Sequence, residues 1–249
     1  MKNKDDIWYS YTLKPYTLKN QDNGFYNRSD FEWTKDLEVH FQEIKSEITS
    51  YVTNHELKPY FNKSLLSSKN SWKTDGLLFW GFFIRKNYKH FKFSWTVIKK
   101  IPGLVSFSIS VLEANSSIKV HHGDTNAIIR VHLPIVVPEG LPNCSFTVNQ
   151  ETRAWEEGIP LLFNDAQLHS AQNLSNRKRI VLLIDIIRPE FINQKLAICA
   201  KVLNGLSWQW QTQQYPWVRR LPLWLKKLSW SISRLIIRTT LRINKQFWP

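Results

Sequence analysis

Apolar positions along this chain repeat with two periods, and the change of period divides it. Leu37, Phe41, Ile44, Ile48 and Tyr51 return at steps of four, three, four and three, one stripe of an amphipathic helix. Upstream, Ser29 and Glu32 have capping-box spacing, which predicts a helix start near Ser29. Over residues 104–113 the period becomes two: Val105, Phe107, Ile109 and Val111 alternate with Ser106, Ser108 and Ser110. Residues 127–133 alternate likewise. Ile129, Val131 and Leu133 share one face, and Ile128, Arg130 and His132 share the other. Residues 144–148, 161–163 and 179–187 read as further strands, the last being the most continuous. Short strands punctuated by turns such as Pro138-Glu139-Gly140-Leu141-Pro142-Asn143 fit a jelly roll.

Between these regions the signals are weaker. Residues 56–75 are loop-like, with a Ser67-Ser68-Lys69-Asn70-Ser71 cluster, and residues 72–84 are aromatic and strand-like. Residues 86–100 interleave Lys with Tyr88, Phe91, Phe93 and Trp95. Nucleic-acid modules can look like this, but a short amphipathic helix ending before Pro102-Gly103 is the preferred reading. Three segments follow: an N-terminal arm over 1–28, a jelly-roll domain over 29–191 and an extension over 192–249.

Composition narrows the class. The 249 residues suffice for one sizeable core with extensions. Cys144 and Cys199 make no disulfide framework, which suits a reducing compartment. The start, Met1-Lys2-Asn3-Lys4-Asp5-Asp6, leads into no apolar signal region, and a cytoplasmic location is expected. The net charge of +14 is uneven. After Glu190 there is no Asp or Glu, while ten Lys and Arg residues fall there.

The chemistry concentrates in two stretches. Val120-His121-His122-Gly123-Asp124 precedes the strand carrying Arg130 and His132, so three of the seven histidines lie within a dozen residues. A polar turn after residues 161–163 holds Asp165 and His169, and Arg179 opens the next strand. Non-haem iron oxygenases need such a set: imidazoles for Fe(II), open positions for a 2-oxo acid and dioxygen, and a guanidinium for the far carboxylate. Two registers are open. His122-Gly123-Asp124 supplies a His-x-Asp half of a two-histidine, one-carboxylate triad. His121-His122-Gly123 has glycine at the carboxylate position.

The pattern His121-x-Gly123-x-Thr125-Asn126, Arg130-x-His132-Leu133, Glu151-Thr152-x-x-Trp155-Glu156-Glu157-Gly158, Phe163-x-Asp165-x-x-x-His169 and Arg179 resembles the aspartyl/asparaginyl β-hydroxylase family over roughly residues 31–191. Members are Fe(II)- and 2-oxoglutarate-dependent dioxygenases. The resemblance implies a mainly β fold with flanking helices around a double-stranded β-helix, that is, a cupin-like jelly-roll core. In the family the ligand histidine lies nine residues before the arginine and eleven before the second histidine, spacings that His121 satisfies. His121 and His169 are therefore expected to bind iron. Arg179 is expected to bind the distal carboxylate of 2-oxoglutarate, and Arg130 and His132 its carboxylates or a substrate acid. A serine eleven residues before the histidine, here Ser110, helps hold 2-oxoglutarate in the family; a plain polar strand face is the other reading. Asp165 is expected either to orient the His169 imidazole or to cap the turn. Trp155 should pack on the core, Gly158 should permit positive φ, and Glu156 and Glu157 take no catalytic role.

Six of twelve tryptophans lie in the extension: Trp208, Trp210, Trp217, Trp224, Trp230 and Trp248. Pro222 is placed to open a helix. Arg234, Arg238, Arg242 and Lys245 recur along it, with Leu228, Ile232, Leu235 and Ile236 largely opposite. This basic amphipathic helix suits an anionic membrane surface at the inner face of the membrane, in preference to a helix packed on the enzyme body or a nucleic-acid-binding tail. Three functions are weighed: first, hydroxylation of an aspartyl, asparaginyl or similar amino-acid unit, which is the preferred reading; as the alternative, hydroxylation of a lipid acyl chain at a membrane surface, toward which the tail leans; and, least favoured, non-catalytic binding. Glycine at 123 is shared with the vertebrate peptide hydroxylases of the family, whereas bacterial lipid A acyl-chain hydroxylases carry His-x-Asp there.

Overall fold

The structure, a computed structural model, describes residues 7–12, 16, 24–68 and 70–244. The charged start, most of the N-terminal arm, Lys69, Lys245 and Trp248 lie outside the described residues.

In chain order the strands begin with β1 (Phe25–Tyr26), β2 (Lys58–Pro59), β3 (Trp72–Phe79), β4 (Phe82–Phe83), β5 (Leu104–Leu112) and β6 (Ser116–His121). Then follow β7 (Ile128–Val136), β8 (Cys144–Val148), β9 (Glu151–Arg153), β10 (Leu161–Phe163), β11 (His169–Asn173) and β12 (Arg179–Ile187). The helices are α1 (Thr34–Val39), α2 (Phe41–Asn54), α3 (Lys92–Ile98), α4 (Lys195–Gln214) and α5 (Leu223–Asn244).

All strand pairs are antiparallel and form two sheets. The larger runs β1-β10-β7-β12-β5-β3-β2, with β4 on β3; the smaller runs β6-β11-β8-β9. Two facing sheets with strands that cross between them make a jelly roll, with α1 to α3 flanking one side.

Alternation decides which side chains enter the space between the sheets. Ile109, Val111, Ile129, Val131, Leu133, Ile180, Leu182 and Ile184 leave the outer face of the large sheet and join the helix stripe in the main core. Their alternate neighbours turn inward. Arg130 pairs in register with Asp185, His132 with Leu183, and Ser110 with Val181. The large sheet thus has a dry face that holds it on the helices and a polar face toward the smaller sheet. Gly76 is needed where β3 bulges past β5, because a Cβ there would lie 2.5 Å from the Phe107 carbonyl oxygen.

The helix expected from Ser29 begins later. Residues 28–30 form a single 3-10 turn closed by the Asn27 side chain, α1 starts at Thr34, and the helix breaks at His40 before α2 resumes. Leu37, Phe41, Ile44, Ile48 and Tyr51 are nonetheless all buried, because the stripe spans both pieces. Residues 85–90 are 3-10 helix, and only 92–98 become the short amphipathic helix expected before Pro102. The extension contains a second long helix that its weak periodicity did not reveal. Ile198, Cys199, Ala200 and Val202 of α4 share a core cluster with Val105, Ala127, Ile128 and Ile187 of the barrel and with Tyr9. The described part of the N-terminal arm is tied down by a bridge between Tyr9 and Thr125.

Candidate active site

His121 ends β6 and His169 begins β11, and the two are direct partners across the small sheet. Their ring centroids lie 4.2 Å apart. Each imidazole is oriented in the same way: His121 Nδ1 donates to the Lys119 carbonyl at 2.8 Å, and His169 Nδ1 donates to the Gln167 carbonyl at 2.9 Å. A carbonyl only accepts, so both Nδ1 atoms carry the proton and both Nε2 atoms keep a free lone pair. Burial lowers the pKa of His121 to about 4 and that of His169 well below its ordinary value, so both rings are neutral near pH 7. His122 stands apart, exposed, with Nδ1 on the Ala166 carbonyl at 2.7 Å and its ring against Trp8.

Asp165 lies beside this pair. It is fully buried, and its Oδ1 is 3.8 Å from His169 Nε2 while accepting from Arg130 Nη1 at 2.6 Å. Its Oδ2 has no hydrogen-bond partner among the described residues. A Cβ on residue 123 would lie 1.7 Å from that oxygen, so the Asp165 carboxylate occupies the space of the side chain that Gly123 lacks. Neither sequence expectation for Asp165 describes this. The carbonyl of Gln167 orients His169, and Asn164 caps the turn by accepting from Ala166 N at 3.1 Å. Burial, followed by the nearby Asp185 and Asp124 charges, pushes the Asp165 carboxyl up against the opposing pull of Arg130.

Arg130 was expected to meet a cofactor or substrate carboxylate, and the structure gives it two from the protein. Nε and Nη2 donate to the two oxygens of Asp185 at 2.7 and 3.1 Å, and Nη1 holds Asp165. Two protein carboxylates thus balance its charge. Asp124 completes the cluster; burial raises its pKa to about 6.

Arg179 is in the opposite condition. It is 1% exposed, and its Nε has no hydrogen-bond partner among the described residues. Its guanidinium lies over the Trp155 ring at 4.6 Å, and burial alone lowers its pKa to about 9. A buried cation with no carboxylate partner among the described residues calls for an anionic ligand. Trp155 Nε1 also donates to His132 Nδ1 at 3.2 Å, which leaves the proton of neutral His132 on Nε2 as a donor. Ser110 Oγ accepts from Trp72 Nε1 at 2.9 Å and keeps its own proton to donate. Phe146 and Phe163 touch both His132 and His169, and the Trp72 ring reaches His121. A packed aromatic cluster therefore links the imidazole pair to Trp155 and, through it, to Arg179.

A cavity of about 620 Å³ opens beside His121. Its lining reaches His121, Gly123, Asp124 and Arg130, but not Arg179, His132 or Ser110. It runs between Leu78, Phe79 and Trp80 of the β3–β4 hairpin and Val202, Leu206 and Trp208 of α4. Lys58 is a further cation in its lining.

Sequence reasoning missed Asp185, read Trp72 only as part of an aromatic strand and left Trp155 as a core aromatic. Asp185 carried a signal, since it is the one acidic residue inside the most apolar strand. Glu157 meets Lys45 and accepts from Val137 N at 2.8 Å, a structural role, and Gly158 has φ +82° as expected.

By donor type these residues suit a divalent metal, with two neutral imidazoles whose Nε2 atoms are free and a buried carboxylate near one of them; among the described residues no set of three His, Cys, Asp or Glu side chains is already gathered around one point.

The sequence profile of the aspartyl/asparaginyl β-hydroxylases matches residues 38–189, well over half of the chain. An ornithine lipid ester-linked acyl 2-hydroxylase from Rhizobium tropici is 30% identical over 169 residues, covering 66% of this chain and 60% of the relative. The aspartyl/asparaginyl β-hydroxylase of Homo sapiens is 29% identical over 107 residues, covering 40% of this chain and 14% of its own length. Among solved structures, a Pseudomonas putida prolyl-4-hydroxylase aligns with TM-score 0.40 and 11% identity, covering 66% of this chain and 92% of that one. The chain therefore spans less than two thirds of the curated relatives described here.

Proposed function

Because this chain belongs to the aspartyl/asparaginyl β-hydroxylase family, we propose that it is an Fe(II)- and 2-oxoglutarate-dependent hydroxylase whose substrate is the acyl chain of a lipid. The observation that carries the substrate class is the cavity beside His121, walled by Leu78, Phe79, Trp80, Val202, Leu206 and Trp208. An extended alkyl group is the ligand that such walls desolvate at least polar cost.

His121 and His169 would hold the metal through Nε2, with Asp165 beside them in the place of the triad carboxylate. Bound Fe(II) would supply the oxidative chemistry: dioxygen and 2-oxoglutarate are consumed, succinate and carbon dioxide leave, and one oxygen atom enters a C–H bond of the substrate. The protein residues do the rest. Arg179 binds the distal carboxylate with a two-pronged donor that Lys could not reproduce. His132 Nε2–H and Ser110 Oγ–H donate to the co-substrate. Arg130 and Asp185 hold Asp165 in place. Trp72, Phe146, Phe163 and Trp155 pack around these groups and keep water from them. The cavity does not include Arg179, His132 or Ser110, so co-substrate and substrate would be held by different residues.

A second reading, an aspartyl, asparaginyl or similar amino-acid unit, is favoured by Gly123, which the peptide-hydroxylating branch shares. Lys58 in the cavity lining would then meet a substrate acid. The deciding experiment incubates the purified protein with Fe(II), 2-oxoglutarate and either an aminoacyl-type lipid dispersion or an aspartyl peptide. Succinate release matched one to one by a product 16 Da heavier assigns the substrate. Peptide product without lipid product would overturn the acyl reading, and succinate release with neither substrate would leave no support for it.

A further inference from the structure

The sequence left the tail to be either packed on the enzyme or free to bind a membrane, and the structure gives α5 one face for each. Its inner face is docked. Leu241 is buried in the cluster shared with α4, Ile237 packs against it, and the Trp230 ring lies 5.1 Å from Tyr11. The Trp230 carbonyl accepts from Asn204 Nδ2 of α4 at 3.2 Å. The outer face is bare. Trp224, Leu228, Ile232, Leu235 and Ile236 are all exposed, Trp224 at 65% and Leu235 at 67%, and Trp217 continues the strip before the helix. Along the flank run Arg238 and Arg242, also exposed, while Arg219, Arg220 and Lys227 stand at the near end; Arg234 lies beside Tyr9 and Tyr11 of the docked side. No acidic residue follows Glu190.

We infer that the outer face of α5 seats the enzyme on an anionic lipid bilayer, with the apolar strip in the acyl region and the arginine flank at the headgroups. The charge pattern selects this occupant. A protein partner for an apolar strip would ordinarily leave its rim of mixed sign, whereas this rim is wholly basic, as a surface of anionic headgroups requires. Nucleic acid matches the charge but has no use for a row of exposed Leu and Ile. Among the described residues no helix is long and apolar enough to cross a membrane, so α5 would lie in the interface plane. A second observation aligns this surface with the cavity. The β3–β4 hairpin packs against α5 through β4, and on it Phe79 both lines the cavity and stands 42% exposed, with Phe82 beside it. The apolar wall of the cavity thereby continues to the proposed bilayer surface. The direction of substrate entry rests on the acyl-chain reading; the docking itself does not.

The test uses the full chain and sedimentation with vesicles of phosphatidylcholine alone or with phosphatidylglycerol. Two variants leave the docked face intact: Leu235→Ser with Ile236→Ser, and Arg238→Glu with Arg242→Glu. Neither touches the site residues, so melting temperature and 2-oxoglutarate turnover should stay as in the unmodified protein. Binding to the anionic vesicles is expected to exceed binding to neutral ones at least tenfold and to fall at least tenfold in each variant. It should weaken from 0.1 to 1 M salt as the Debye length falls from ~10 to ~3 Å. Equal binding by the charge-reversed variant, no binding to anionic vesicles at 0.1 M salt, loss of a dimer in the apolar variant without any vesicle binding, or tighter binding to RNA than to vesicles would each overturn the inference. Vesicle binding without acyl hydroxylation would leave docking standing and remove the acyl substrate. Hydroxylation of a micellar lipid without vesicle binding would do the reverse.

Discussion

Gly123 and Asp165 share one volume: the Cβ that residue 123 lacks would stand 1.7 Å from Asp165 Oδ2. The glycine in the His-x-Gly motif is thus the complement of a carboxylate delivered from another strand turn. Gly123→Ala should displace Asp165 from Arg130, lower stability by about 1–3 kcal/mol as overpacking does, and weaken metal binding by about 10–100-fold. Thermal melts and Fe(II) or Mn(II) titration measure the two effects. Gly123→Asp combined with Asp165→Ala, which returns the carboxylate to the His-x-Asp position, should recover much of the metal affinity. No recovery, with folding intact, would mean that the Asp165 oxygen is not serving the metal.

Arg179 gives a prediction with two opposite signs. Arg179→Lys should raise the apparent KM for 2-oxoglutarate about 10–100-fold, the worth of a lost charge-assisted hydrogen bond. Arg179→Met should abolish co-substrate binding yet raise the melting temperature of the ligand-free protein, because it removes a buried cation with no carboxylate partner among the described residues. Succinate formation against 2-oxoglutarate concentration tests the first, and calorimetry of the ligand-free protein the second. A destabilised Arg179→Met would place an unrecognised partner on the guanidinium.

Stability should depend on pH through His132. Burial, then Arg179 and Arg130, hold its pKa well below the ordinary 6.5. Above pH 6.5 the folded and unfolded states are both neutral there. Below it, only the unfolded chain takes up the proton, so stability falls as pH drops. His132→Gln keeps an acceptor for Trp155 and removes the titration. Relative to that variant, the unmodified protein should lose stability below pH 6.5 with a slope approaching about 1.4 kcal/mol per pH unit. Denaturant melts of both proteins at pH 7.5, 6.5 and 5.5 read the difference, in which His121 and His169 cancel. Parallel curves would refute it.

Removing residues 217–249 should leave the jelly roll folded and the site competent for 2-oxoglutarate turnover, since the two core clusters of the barrel contain no residue beyond Ile186. The melting temperature should nevertheless fall, because Leu241 and the Trp230–Tyr11 contact are lost from the cluster that seals α4. Loss of near-ultraviolet dichroism over the whole barrel would show that α5 is integral to the fold.

How much of this could be read in the chain depended on whether the information was local. The alternation of Ser106, Ser108 and Ser110, and of Arg130 and His132, identified the inner face because strand geometry leaves only two sides. The Leu37 to Tyr51 stripe identified the helical side of the core. Asp185 on Arg130 was hidden, because a cross-strand partner 55 residues away has no periodic trace. So was the orientation of Asp165, where spacing to His169 suggested an acceptor orienting the imidazole or a turn cap and the turn instead brought it near Nε2. Helix α4 was hidden for a different reason. It is covered by the barrel on one side and by α5 on another, so its apolar residues form no single stripe.

Both imidazoles of the candidate metal pair donate to the carbonyl two residues earlier in their own chain. Every residue type supplies that carbonyl. The geometry of the pair can therefore persist while the side chains around it are exchanged almost wholesale, so a lineage could carry the same reactive centre from one substrate to another by rebuilding only the cavity walls.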